Sequence, residues 1–306
     1  MGMFLLASLL MSCSTSLSPA PTQISSSTAM AFVTASTQPA IFQTTETSTL
    51  SPEASTVFVC DEDWQSQPVI PVVTEPARLL YQQGLVNGNG HHAFSKIGDG
   101  EISTTWFLTD FDLGKSNYDL GDYQSLGEVI EYFQSSFERV SLSARRGFNT
   151  NLILDSSASN AALCNSGESP LDCELRIHNP SIAILSLGTN QVYRPEEFEA
   201  GIRKIINVLL ENHVLPILST KGDNLEGDHQ INRTISCLAQ EYQIPLWNFW
   251  SVIQPLPNHG LQPDLEHLTY YGINDFNDHI AMQSAWTIRN LTALQVLDNV
   301  WRSVTK

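Results

Sequence analysis

Past residue 56 the chain alternates two kinds of apolar pattern, and that alternation restricts its fold more than any other feature. Strand-length runs at 93–97, 139–143, 181–187, 214–220 and 244–249 include several that are almost continuously apolar, as parallel strands covered on both faces must be. Between them lie segments with the 3.6-residue helical period. In 195–212, Phe198, Ile202, Ile205, Ile206, Leu209 and Leu210 make one apolar face. Pro195 suits a first turn, and Glu196 and Glu197 follow at the positive end of the helix dipole. Further helices are predicted over 122–137, 228–242 and 283–304. Strands alternating with helices specify an α/β protein, here a three-layer α/β/α sandwich with about five parallel strands joined by right-handed crossovers.

Residues 1–56 read differently. The apolar run 3–11 is too short to span a membrane as a helix and has the length of the apolar part of an export signal. It ends in Leu10-Met11-Ser12-Cys13, which resembles a bacterial lipobox and implies a lipid on Cys13 after cleavage. Residues 14–56 are dominated by Ser, Thr, Ala, Pro and Gln, with Glu46 and Glu53 as the only charges; such a stretch buries too little surface to offset its ordering entropy and is expected to be a tether. The organisation is therefore a signal and lipobox over 1–13, a tether over 14–56 and one domain over 57–306. The product is an exported protein, either a cell-surface lipoprotein or secreted, touching a membrane only through Cys13.

Lys and Arg number 15 against 32 Asp and Glu, a formal charge of -17, which argues against nucleic acid as a partner. In an exported chain the cysteines beyond Cys13 can pair. Cys164 and Cys173 flank a turn-rich loop and are the first choice; Cys60 with Cys237 then follows. No C-x-x-C or His-rich spacing suggests a metal, and no cofactor is expected.

Three segments carry chemistry: Lys96-Ile97-Gly98-Asp99-Gly100 and Leu187-Gly188-Thr189-Asn190, each after a predicted strand, and Asp264-Leu265-Glu266-His267 near the end. In open α/β sheets, ligands gather at the carboxyl ends of strands, so topology brings these segments to one rim. Their order and spacing resemble the SGNH/GDSL hydrolase superfamily, with its Gly-Asp-Ser, Gly-x-Asn and Asp-x-x-His blocks, over most of residues 75 to 280. The resemblance implies a flavodoxin-like sheet, His267 as general base, Asp264 as the acid that orients it, and Asn190 and the Gly147 backbone as oxyanion donors. It also exposes a departure. The position of the nucleophilic serine is Gly100, which keeps the backbone amide and loses the hydroxyl.

The implied activity is hydrolysis of acyl or acetyl esters on carbohydrate or lipid, weakened or lost at Gly100. The alternative is a non-catalytic surface module that binds a glycan or ester in the same pocket. Ser103 lies one helical turn past Gly100, too far to replace the serine in unchanged geometry. Among the aromatic residues Trp106, Phe107, Trp247, Phe249 and Trp250, most are expected in the core. His91 and His92, adjacent on an extended segment, are expected to point to opposite sides.

Overall fold

The computed structural model describes residues 58–61, 63–272 and 274–306; the predicted signal, lipobox and tether lie outside them. Among the described residues four strands, β1 (Gly90–Gly98), β2 (Pro180–Ser186), β3 (Leu215–Ser219) and β4 (Leu246–Trp247), form one sheet in the order β1-β2-β3-β4. Every pairing is parallel, with Ile97 opposite Leu185 and Leu185 opposite Leu218. All seven residues of β2 are buried, as a central strand covered on both faces requires.

Nine helices accompany the sheet among the described residues: α1 (Glu75–Val86), α2 (Gly100–Ser103), α3 (Gly127–Tyr132), α4 (Thr150–Ile153), α5 (Pro170–His178), α6 (Pro195–Glu211), α7 (Gln230–Glu241), α8 (Phe249–Ile253) and α9 (Ala285–Thr305). On one side α1, α3 and α8 pack around α9; α4 to α7 form the other layer. The predicted face of α6 is buried at Phe198, Ile202, Ile205, Ile206 and Leu209. Helix α1, outside the predicted set, is started by Pro76 in its first turn and by the Thr74 side chain, which accepts from Ala77 N. No helix among the described residues is long and apolar enough to cross a membrane.

The expected fifth strand, 139–143, is not a strand. One parallel bridge, Ala144 to Gly98, forms just after it, and most of its own polar groups are engaged elsewhere. The Glu174 carboxylate accepts from Leu142 N at 2.9 Å and pairs with the Arg139 guanidinium; Ser143 N turns back to Ser141 Oγ at 3.1 Å. The predicted 122–137 helix breaks up in a similar way. A 3₁₀ segment, Gly121–Leu126, precedes α3, which ends at Tyr132, and Ser135 then adopts φ 76° while its N–H donates to Asp112. His91 and His92 do not point apart: a register shift between Gly90 and Phe94 breaks the pleat, and the two rings lie 4.0 Å apart beside Tyr132.

Both expected disulfides are present. Cys164–Cys173 ties a loop to α5, and Cys60–Cys237 ties the start of the described domain to α7, with Cα separations of 5.3 and 5.1 Å.

Candidate functional site

The carboxyl end of β1 sets the site. Gly98 adopts φ 155°, and a Cβ there would meet Ser186 O of β2 at 1.9 Å, so glycine lets the two strands close at the rim. Asp99 then caps α2, its carboxylate accepting from Glu101 N at 3.2 Å. Burial, followed by the charge of Glu101, raises the Asp99 carboxyl to about 7. Gly100 begins α2 without a left-handed φ. A Cβ placed on it finds only Arg146 Cγ at 3.7 Å and Arg146 Cα at 3.9 Å, ordinary van der Waals contacts.

After β2, Gly188 turns the chain at φ 135°. Thr189 donates its hydroxyl to Asp223 Oδ2 at 2.7 Å, and Asp223 is held by Lys221 Nζ at 2.6 Å in a buried cluster that also contains Glu226. This network fixes the start of the loop that presents Asn190. The Asn190 amide is exposed, and its Nδ2 donates to Phe148 O at 2.8 Å. Gly147 stands at φ 83° with no atom within 4 Å of a Cβ position, a conformation that favours glycine on backbone grounds alone.

The third segment closes the rim. Asp264 Oδ1 accepts from Glu266 N and His267 N at 3.1 and 3.0 Å, and Asp264 Oδ2 lies 2.7 Å from His267 Nδ1. These bonds hold the Asp264 carboxyl down to about 2, the backbone donors contributing most. The same carboxylate raises the His267 pKa and fixes the tautomer, so that Nε2 is the nitrogen left for other partners.

Gly100, Gly147, Asn190 and His267 line one cavity of about 680 Å³, with Asp99, Glu101, Arg146 and Trp286. Asp264 stands behind His267. Ser103 does not line it; its hydroxyl donates to Gly100 O at 3.3 Å. Phe107, Trp247 and Phe249 are fully buried, Trp250 is half-buried, and Trp106 alone of the five aromatics reaches the cavity, its ring tilted by 40° against Tyr270 with ring centres 4.3 Å apart.

Sequence reasoning missed two charged residues. Glu101 lines the cavity, and Arg289 of α9 lies wholly buried with Nη1 3.6 Å from Glu101 Oε2. A signal for Arg289 existed: it falls three residues after Trp286 on a buried stretch of α9, where an unpaired cation is costly. Among the described residues, the sole cluster with metal-ligand spacing is Cys164, Glu168 and Cys173, whose two sulfurs are joined in the disulfide.

No protein-family model matches the sequence, and no curated protein matches it. Solved structures to which it is similar include a GDSL-like lipase from Bacteroides thetaiotaomicron, at 12% identity over 70% of this chain and 96% of that one, with a TM-score of 0.39. A variant of an acetyl xylan esterase from Geobacillus stearothermophilus is similar at 16% identity over 66% of this chain and 94% of that one, with a TM-score of 0.38. The overlap with both is loose, and the parallel sheet with its two helical layers is established by the chain's own strands and helices.

Proposed function

We propose that the rim cavity is an ester site of the SGNH/GDSL type, for acyl or acetyl groups on carbohydrate or lipid, and that its turnover is weakened by the loss of the nucleophile at Gly100. One observation carries this reading: the Asp264–His267 pair, at 2.7 Å, stands on the same cavity as Gly100. An imidazole oriented by a carboxylate is the general base of acyl transfer, and the Gly100 and Gly147 backbone amides together with Asn190 are the candidate oxyanion donors. A triad without its nucleophile keeps about 10³ to 10⁴ over water from the remaining groups.

Gly100 itself favours a second reading, a non-catalytic module that binds a glycan or ester in this pocket. We place either protein outside the cytoplasm, anchored through Cys13 or secreted; the two disulfides support an oxidising compartment.

The test compares p-nitrophenyl acetate hydrolysis by the native protein, Gly100→Ser and Gly100→Ser/His267→Ala. The Cβ contacts at Gly100 leave room for serine. The hydrolase reading expects Gly100→Ser to gain at least about tenfold and to lose the gain without His267. No hydrolysis by any of the three overturns that reading and leaves the binding module, which a glycan array would then examine.

A further inference from the structure

The cavity holds a carboxylate to which the ester-site reading gives no task. Glu101 directly follows Gly100, its side chain is 24% exposed, and it lines the cavity together with His267. Among the described residues no donor is hydrogen-bonded to its carboxylate. Arg289 attracts it at 3.6 Å, a separation beyond good hydrogen-bond range. Arg289 is itself enclosed, with its guanidinium carbon 4.7 to 5.8 Å from the ring centres of Phe249, Phe107, Trp247 and Trp286, and with Nη2 donating to Ser186 Oγ at 2.9 Å. Glu101 is thus attracted by charge from one side and lines the cavity with a carboxylate that no described donor engages. Beyond its own turn of α2, the space beside Gly100 that a serine hydroxymethyl would fill meets only Arg146, at 3.7 Å from the Cβ position, and Gly100 lines the cavity.

Resting on the ester-site reading, we propose that Glu101 is the general base of a hydrolysis that needs no serine: it takes a proton from a water seated beside Gly100, and His267 acts as the acid. The water oxygen bonds to the acyl carbon as its O–H bond breaks toward Glu101. The bond from that carbon to the alcohol oxygen then breaks, and the leaving oxygen takes the proton of the His267 imidazolium. Acid and alcohol are the products, no acyl-enzyme forms, and proton exchange with solvent returns Glu101 and His267 to their starting states.

This route uses His267 in the protonation state opposite to that of a serine enzyme. Burial is the largest influence on Glu101 and strengthens it as a base; Asp223 acts in the same direction, while Arg289, His267 and Lys221 oppose it. Asp99, raised to about 7 by burial and by the charge of Glu101, is a further carboxyl on the same cavity that titrates within the working pH range. Asp264, with smaller contributions from Glu266 and Glu101, raises His267 and keeps it charged to higher pH. The active form has Glu101 ionised and His267 protonated, so the native rate falls on both the acid and the alkaline side. In Gly100→Ser the histidine must be neutral to deprotonate the serine, and the rate rises with pH to a plateau.

The deciding experiment follows acetate release from triacetin, whose alkoxide leaving groups need a proton, across pH 4 to 10. The full chain is used as the native protein, Glu101→Gln, Gly100→Ser and Gly100→Ser/Glu101→Gln. The expected result is an alkaline decline in the native protein, none in Gly100→Ser, and a loss from Glu101→Gln at least about tenfold larger in the native background than in the serine background. Native release at the buffer rate, a native profile without the alkaline decline, or equal losses in both backgrounds would overturn the proposal; equal losses would mark Glu101 as no more than the counter-ion of Arg289. The profile comparison needs no Glu101 variant, so it decides even if that substitution unfolds the protein. An active Gly100→Ser with a silent native protein refutes the water route and leaves the ester site standing; silence in both refutes the ester site as well.

Discussion

Replacing Glu174 with Ala should detach the segment that delivers Arg146 and Gly147 to the site. Glu174 is fully buried on α5 and holds 139–143 where a fifth strand was expected: Arg139 pairs with it through two nitrogens, and Ser95 Oγ and Leu142 N also donate to it. Truncation leaves the Leu142 amide and the Ser95 hydroxyl, itself 1% exposed, without their acceptor. It also leaves a cation that is 22% exposed at its side chain and so recovers only part of its hydration. Removing one partner of a buried pair costs about 3–5 kcal/mol, and at roughly 2–4 °C per kcal/mol for a domain of this size the melting temperature should fall by about 6–20 °C. Hydrogen bonds from Arg139, Ser95 and Leu142 hold the Glu174 pKa below its ordinary 4.5 despite burial. Its stabilisation is therefore present above about pH 4.5 and is lost as pH falls through the lower folded value; the gap between native and Glu174→Ala should narrow in acid. Calorimetry across pH 3 to 8 measures both effects. A loss below about 1 kcal/mol at pH 7, or a gap that widens in acid, would refute the argument that this carboxylate replaces strand pairing.

Three further outcomes are expected. Gly98→Ala should destabilise strongly, since its Cβ meets backbone at 1.9 Å, whereas Gly100→Ala, with no contact under 3.7 Å, should be neutral or gain about 0.4–1 kcal/mol; urea denaturation compares them. Asp264→Asn should lower the His267 pKa, read from imidazole shifts in an NMR titration, because the Asp264 hydrogen bond is the largest influence raising it. Cys60→Ser should cost more stability than Cys164→Ser: chain entropy gives about 5 kcal/mol for closing 177 residues against about 3 kcal/mol for 9, and guanidinium denaturation tests the order.

Much of the layered fold was legible because β2 and β3 are apolar runs and α6 keeps its apolar face throughout. The fifth strand was misread for a physical reason. In 139–143 the pattern alternates, yet Val140 is 73% exposed while Ser141 and Ser143 are buried, so the polar side chains are the ones turned inward, Ser143 Oγ to Pro170 O at 2.8 Å. Alternation reports strand geometry only when the apolar set faces the core. The site separates along similar lines. Gly100, Asn190 and His267 converge because each follows a strand end or sits in a rim loop, which sequence order reveals. Glu101 and Arg289 meet only through the packing of α9 against the sheet, and no local pattern encodes that approach.

The motif glycines sharpen the question that Gly100 raises. Gly98 is required by β2, whose Ser186 carbonyl occupies its Cβ position, and Gly188 is required by Ile231 Cγ2 at 2.5 Å together with its φ of 135°. Gly100 has neither constraint: its backbone is helical, and its Cβ direction opens toward the cavity. Packing therefore does not explain a glycine there. Gly100 carries no side chain, at the one motif glycine where the fold would accept one, while the Asp264–His267 pair, whose two side chains are 48% and 60% exposed, stands where the fold would do without it. Exposed ion pairs contribute little to stability, so that pair is better understood through what His267 does at the cavity than through what it adds to folding. Chemistry that needs the imidazole but not the hydroxyl accounts for both facts, and the slope of the native pH profile above the His267 pKa is where it must show.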